Sequence, residues 1–214
     1  SQNDYAKRHF ERSKLRPRVE TALKKLFENA PTEYRDVNVE GGTVCAKVDE
    51  ALCVLTSLEE PTVKYTLIDP DNFFPNKRTS IDSYTLSPSG KRVAAMLSVD
   101  GFEEGTIYVF DAENGTQLRE EVKQASASPG GDVAWKHDSS GFYYTRYPNL
   151  KRDGTRDMHS YAYEEIWFHE LGTKQAEDVY VMGREFPRYA QVSVRAAFKE
   201  THVTASAPTG WGAE

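Results

Sequence analysis

The chain has 214 residues, with 27 Lys+Arg against 33 Asp+Glu, a net charge of −6, and 38% hydrophobic and 12% aromatic residues. That composition excludes a disordered chain and gives no global signal for nucleic acid or an anionic membrane, and the length suffices to bury a core. No apolar run approaches the roughly 18 residues of a membrane span and no signal-peptide core is visible. The expected location is therefore cytoplasmic, or periplasmic had a signal been removed.

Residues 1–30 form the helical part. Val19, Ala22, Leu23, Leu26 and Phe27 fall at i, i+3, i+4, i+7 and i+8, one stripe of a helix over 17–28 with Pro17 in its first turn. A shorter helix is expected over 4–12, anchored by Tyr5 and Phe10. Eight basic residues precede Pro31, but Asp4, Glu11, Glu20 and Glu28 interrupt them and no aromatic series accompanies them. The stretch reads as a solvated helix face rather than a nucleic-acid arm.

From residue 31 onward the pattern changes to β. Runs at 43–47, 52–57 and 63–68 predict three strands of a first unit near 34–70. A second unit near 80–125 contains 92–98, 106–111 and a piece near Gln117. In Ile107-Tyr108-Val109-Phe110 both faces are apolar, as in a strand covered on both sides. A third unit near 128–182 runs through Phe142, 165–170 and 178–181, with a polar insertion at 149–160 expected as a surface loop. Residues 191–194 and 202–206 open a fourth, near 189–214.

Two hairpins about 49 residues apart repeat one statement: Leu86-Ser87-Pro88-Ser89-Gly90-Lys91-Arg92-Val93 and Trp135-Lys136-His137-Asp138-Ser139-Ser140-Gly141-Phe142. Each joins an apolar strand end, a polar turn with glycine and a β-rich run. Repetition at this period is the signature of propeller blades. The expected fold is mainly β: a partial β-propeller of about three blades and the start of a fourth over 31–214, behind a short helical segment.

The order of the blocks adds a family resemblance. Thr79-Ser80-Ile81-Asp82, Glu104-Gly105-Thr106-Ile107-Tyr108-Val109-Phe110-Asp111 and Ala134-Trp135 succeed one another. Ser140-Gly141-Phe142-Tyr143-Tyr144-Thr145-Arg146-Tyr147-Pro148 and Phe168-His169-Glu170-Leu171-Gly172-Thr173 follow, then Phe186-Pro187. Together they resemble the propeller of the prolyl oligopeptidase family of serine peptidases. The resemblance implies seven blades followed by an α/β-hydrolase domain, so both ends of this chain are expected to be cut. An incomplete ring would leave a blade face uncovered at each end, and the fragment is expected to self-associate.

Family chemistry needs a serine on a G-x-S-x-G elbow, an aspartate and a histidine. The 214 residues contain no G-x-S-x-G, so no catalytic residue is assigned. His137-Asp138-Ser139 has the residue types of a triad, but neighbours on a turn point apart. His9, His159, His169 and His202 lack metal-ligand spacing, and Asp69-Pro70-Asp71-Asn72 lacks the glycine and distal glutamate of a calcium loop, so no metal or cofactor is expected. Cys45 and Cys53 are read as buried free thiols, with a hairpin disulfide as the alternative. Asn114-Gly115-Thr116 is a tight turn before it is a glycosylation sequon. By resemblance, Trp211 between Gly210 and Gly212 is the candidate substrate-binding residue, against an ordinary core or chain-end tryptophan.

The resemblance implies the non-catalytic propeller of an endopeptidase that cleaves short peptides after proline, with the propeller gating access. The partners are then proline-containing peptides, with no nucleic acid and no membrane. Two alternatives stay open: a stand-alone propeller-like interaction module, and the propeller of a peptide-cyclising family member.

Overall fold

The computed structural model describes residues 2–28, 30–102, 104–126, 132–148, 163–196 and 203–206. The insertion at 149–160 and Trp211 lie outside the described residues. The chain divides into two units, Ser1–Glu33 and Tyr34–Glu214.

In the first unit, α1 (Gln2–Glu11) and α2 (Arg16–Glu28) occupy the stretches whose apolar spacing called for helices. Pro17 sits in the first turn of α2, where a missing N–H costs nothing. Arg16 pairs with Glu20 at i, i+4, 2.7 Å apart. Neither helix buries a residue: Val19, Leu23, Leu26 and Phe27 are all exposed. Among the described residues no helix is long and apolar enough to cross a membrane.

The second unit is built from antiparallel meanders. The first contains β1 (Tyr34–Glu40), β2 (Thr43–Val48), β3 (Ala51–Leu55) and β4 (Val63–Ile68), hydrogen-bonded in that order. After the four-residue helix α3 (Pro70–Phe73) come β5 (Thr79–Leu86), β6 (Arg92–Val99), β7 (Glu104–Asp111) and β8 (Gln117–Ser126). The third meander is β9 (Val133–Trp135), β10 (Gly141–Arg146), β11 (Glu165–Glu170) and β12 (Val179–Met182), and β13 (Ser193–Ala196) with β14 (Val203–Ser206) form a further hairpin. A pairing between Ala125 and Arg146 links the second and third meanders into one hydrogen-bonded sheet.

The first meander has one strand more than the three read from hydrophobic runs. Its β1, Tyr-Arg-Asp-Val-Asn-Val-Glu, contains no apolar run, and Val37 and Val39 are exposed. The leading strands β1, β5, β9 and β13 lie against one another in succession, β1 by β5, β5 by β9 and β9 by β13. Meanders arrayed radially around their first strands are the blades of a partial β-propeller.

The core lies between blades. On β6, Val93, Ala95 and Leu97 join Cys45, Leu52, Val54 and Ile68 of the first blade. The intervening Ala94 and Met96 face the other way and pack with Trp135, Phe142 and Tyr144 of the third. Period-two alternation on a strand buried on both faces produces this division. Trp135 and Phe142 are 2% and 0% exposed, in edge-to-face contact with centroids 5.4 Å apart. Full burial of such side chains stabilises by about 1.5–3 kcal/mol each. The far face of the first blade differs from expectation: Val44, Ala46, Val48, Cys53 and Leu55 pack together there and none is more than 9% exposed.

Hydrogen bonds from side chains cross the first two seams. Tyr84 Oη donates to the carbonyls of Asp36 and Cys45, the latter at 3.0 Å, and Tyr65 Oη donates to the Ala112 carbonyl. Trp135 Nε1 donates to the Thr85 carbonyl at 3.1 Å. The duplicated turns themselves touch, since Ser89 N donates to Ser139 Oγ at 3.2 Å.

Candidate functional site

The four leading strands line an open cleft of about 630 Å³. Its polar wall comes from Asn38 and Glu40 of β1, Ser83 and Thr85 of β5, Asp132 just ahead of β9, and Arg195 of β13. Of these strands β1 reads most weakly in the sequence, because Asn38 and Glu40 line the cleft and Val37 and Val39 are exposed.

Asp132 is the most constrained of the six. Its Oδ1 accepts from Val133 N at 3.0 Å, while its own N–H donates to Thr145 Oγ1 at 3.0 Å. Burial pushes its carboxyl above the ordinary range, and the N–H groups of Val133 and Val194 and the charge of Arg195 pull against that shift. Asp82, at the irregularity in β5, is similarly pushed up by burial and held partly in check by Ser98 Oγ, which donates to Oδ1 at 2.8 Å.

Other polar groups fall away from the cleft or into turns. Asp138 accepts from Ser140 N and Ser140 Oγ and pairs with Lys136 at 2.9 Å. These bonds hold its carboxyl well below the usual range. Ser139 Oγ is taken by Ser89 N, so His137-Asp138-Ser139 is a turn and not a relay. Asp69 caps α3, accepting from Asp71 N at 3.1 Å and Asn72 Nδ2 at 2.7 Å. Among the described residues no group of three or more His, Cys, Asp or Glu could hold a metal ion. Cys45 and Cys53 are free thiols on opposite faces of the first blade, Cys45 toward the second blade and Cys53 away from it.

One network has no sequence signal. His169, isolated by its spacing, places Nδ1 2.7 Å from Asp178 Oδ1, and Tyr144 Oη donates to Asp178 Oδ2 at 2.7 Å. The His169 and Asp178 side chains are each 1% exposed. In the tautomer that carries the ring proton on Nδ1, His169 and Tyr144 each donate to one oxygen of Asp178. The geometry of this trio ties β10, β11 and the segment before β12 into one blade. Trp211, the one residue singled out for substrate, and also His159 and His202, lie outside the described residues.

The family model for the prolyl oligopeptidase N-terminal β-propeller domain matches residues 1–206. The chain belongs to this family. A prolyl endopeptidase from Elizabethkingia meningoseptica is 32% identical over 126 residues, 56% of this chain and 17% of that protein. Prolyl oligopeptidase A from Amanita bisporigera is 27% identical over 159 residues, 64% of this chain and 19% of its own length. The family therefore includes longer proteins, of which this chain spans less than a fifth in these two matches. In structure, a solved prolyl endopeptidase chain matches 98% of this chain and 31% of its own length, with a TM-score of 0.79 at 21% identity. Prolyl oligopeptidase B from Galerina marginata, solved with a 35mer hydrolysis and macrocyclization substrate, matches 99% of this chain and 33% of its own, at a TM-score of 0.67 and 19% identity. Dual-function macrocyclase-peptidases also match the chain, from Galerina marginata at 33% identity over 110 residues and from Amanita bisporigera at 28% over 127.

Proposed function

We propose that this chain is the non-catalytic propeller portion of a serine endopeptidase that cleaves short peptides after proline, with the propeller limiting access to a buried catalytic site. The family match over residues 1–206, shared with prolyl endopeptidases, carries the reading. The cleft along β1, β5, β9 and β13 supports it, because a mostly apolar wall of Leu86, Val133, Ala134, Trp135 and Val194 carries a few polar and charged groups, Asn38, Glu40, Asp132 and Arg195, as a peptide-binding surface does. The nucleophile, its histidine and its aspartate would come from outside these 214 residues, which hold no G-x-S-x-G.

The test uses the parent protein and this chain side by side on a fluorogenic peptide with an internal proline. Cleavage by the parent, blocked by a serine-directed inhibitor, and no turnover by the 214-residue chain is the expected result. Turnover by the chain alone, or a parent reading frame without G-x-S-x-G, overturns it; the latter would favour a stand-alone interaction module. A second reading, peptide cyclisation, follows from the Galerina marginata macrocyclase-peptidase, 33% identical over 110 residues. Product mass decides between them, since a cyclic product is lighter than the linear one by one water.

A further inference from the structure

From residue 34 onward the chain carries 19 Lys+Arg against 28 Asp+Glu. The cleft repeats this bias with one exception. Its charged lining among the described residues is Glu40, Asp132 and Arg195, with His137 as a further titratable group, so Arg195 is the one permanent cation. Arg195 lies on β13, directly beside β9, and is exposed to solvent. Among the described residues its guanidinium has no ion pair, although its charge reaches Asp132. Asp132 is engaged instead by the backbone N–H groups of Val133 and Val194. Among the described residues, an arginine that lines an open cleft while Asp132 is occupied by backbone keeps its guanidinium donors for a ligand.

A guanidinium presents parallel N–H groups that match the two oxygens of a carboxylate. The surrounding acids narrow what can use them. Glu40 and Asp132 repel an anion placed elsewhere on the wall and favour an ammonium group, so a single carboxylate is accepted only at Arg195. We infer that Arg195 is a specificity residue of the cleft that binds a carboxylate of a short peptide, either its free C-terminus or one acidic side chain. This inference rests on the peptide-handling reading of the cleft given above.

Fluorescence anisotropy of the 214-residue chain with labelled proline-containing hexapeptides tests it. Three N-terminally labelled versions are compared: a free acid with no charged side chain, the same peptide as a C-terminal amide, and the amide with one glutamate. A charge-assisted bidentate contact predicts that a carboxylate-bearing peptide binds about tenfold tighter than the neutral amide. Preference for the free acid identifies the C-terminus as the source, and preference for the glutamate amide identifies a side chain. Arg195→Gln should reduce the preferred peptide to the level of the amide, and Arg195→Lys should retain part of the preference through charge alone. A circular dichroism melt on each variant confirms the fold. Equal binding of all three peptides by the wild type, or a preference that survives Arg195→Gln, overturns the assignment to Arg195 while leaving a peptide-binding cleft. Binding of none of the three overturns the peptide-handling reading itself, and this assignment with it.

Discussion

Gly41 and Gly90 meet backbone to backbone where the first two blades turn at their leading hairpins. A Cβ on Gly41 would stand 2.3 Å from the Ser89 carbonyl oxygen, and one on Gly90 would stand 2.3 Å from the Glu40 carbonyl oxygen. Both residues have positive φ, +53° and +70°. The glycine in each turn therefore serves the seam between blades as well as the turn. Gly41→Ala and Gly90→Ala should each destabilise the chain by about 2–4 kcal/mol, combining left-handed strain with a backbone clash. Gly42, at φ +84°, isolates the strain alone, because a Cβ added there would meet nothing within 4 Å. Gly42→Ala should cost about 1–2 kcal/mol. Urea unfolding of the three variants checks the ordering, and equal losses at Gly42 and Gly90 would show that close approach at the seam adds nothing to the strain.

Asp178 accepts from Tyr144 Oη and His169 Nδ1 inside the third blade, with both bonds at 2.7 Å. Asp178→Ala strands two buried donors, and a loss of about 3–5 kcal/mol is expected. Tyr144→Phe removes one donor without stranding a charge and should cost about 1–2 kcal/mol. Equilibrium denaturation of both variants tests the difference. A smaller loss for Asp178→Ala than for Tyr144→Phe would mean that the carboxylate does not organise the trio.

Cys45 is shielded in the seam between the first and second blades, and burial pushes its thiol from 9.0 up to about 12, while the Cys53 thiol is also raised by burial. Neither forms thiolate readily in the folded chain. A thiol reagent at pH 8 should leave both unlabelled until urea unfolds the chain, and the intact mass should show two free thiols. The pH dependence follows by linkage. A raised folded-state value means that the native chain holds the proton more tightly than the unfolded one, so the Cys45 contribution is full below pH 9. It is lost progressively as pH rises from 9 toward about 12. Cys45→Ser should flatten that part of the stability profile, measured by thermal melts from about pH 8 to about pH 11. An unchanged slope would assign the alkaline loss to other groups.

The duplicated hairpins were legible because glycine turns and two-faced apolar strands leave strong local patterns, as at Ser87-Gly90 and Ile107–Phe110. Strand β1 was not, since its alternation is confined to Val37-Asn38-Val39-Glu40, and there the valines are exposed while Asn38 and Glu40 line the cleft, the reverse of a half-buried strand. The cleft shares that cause: its wall is assembled from Asn38, Thr85, Asp132 and Arg195, which stand far apart in the chain and are joined only by the radial packing of blades. The Tyr144–Asp178 contact spans 34 positions and could not be found from spacing at all. The propeller architecture followed from local residues, while the site depended on which strands the architecture brought together.

Self-association remains expected, but from surfaces other than the far face of the first blade, where Val44, Ala46, Val48, Cys53 and Leu55 are already buried. The outer strand β12 exposes Val179, Val181 and Met182, at 59%, 39% and 36%. An apolar edge strand of this kind offers both unpaired backbone groups and side chains to another chain. Separately, α2 presents Leu26 and Phe27 at 67% and 71% exposure on one stripe with Val19 and Leu23. An amphipathic helix with a bare stripe associates through it when concentration allows. Sedimentation velocity at tens of micromolar should show dimers or larger species that dissociate on dilution. Val181→Lys interrupts the edge strand and Phe27→Lys interrupts the helical stripe, so whichever surface carries the contact is identified by the variant that restores the monomer. A wild-type chain that sediments as a single monomer across that range would show that neither surface is sticky enough to overcome the entropy of association.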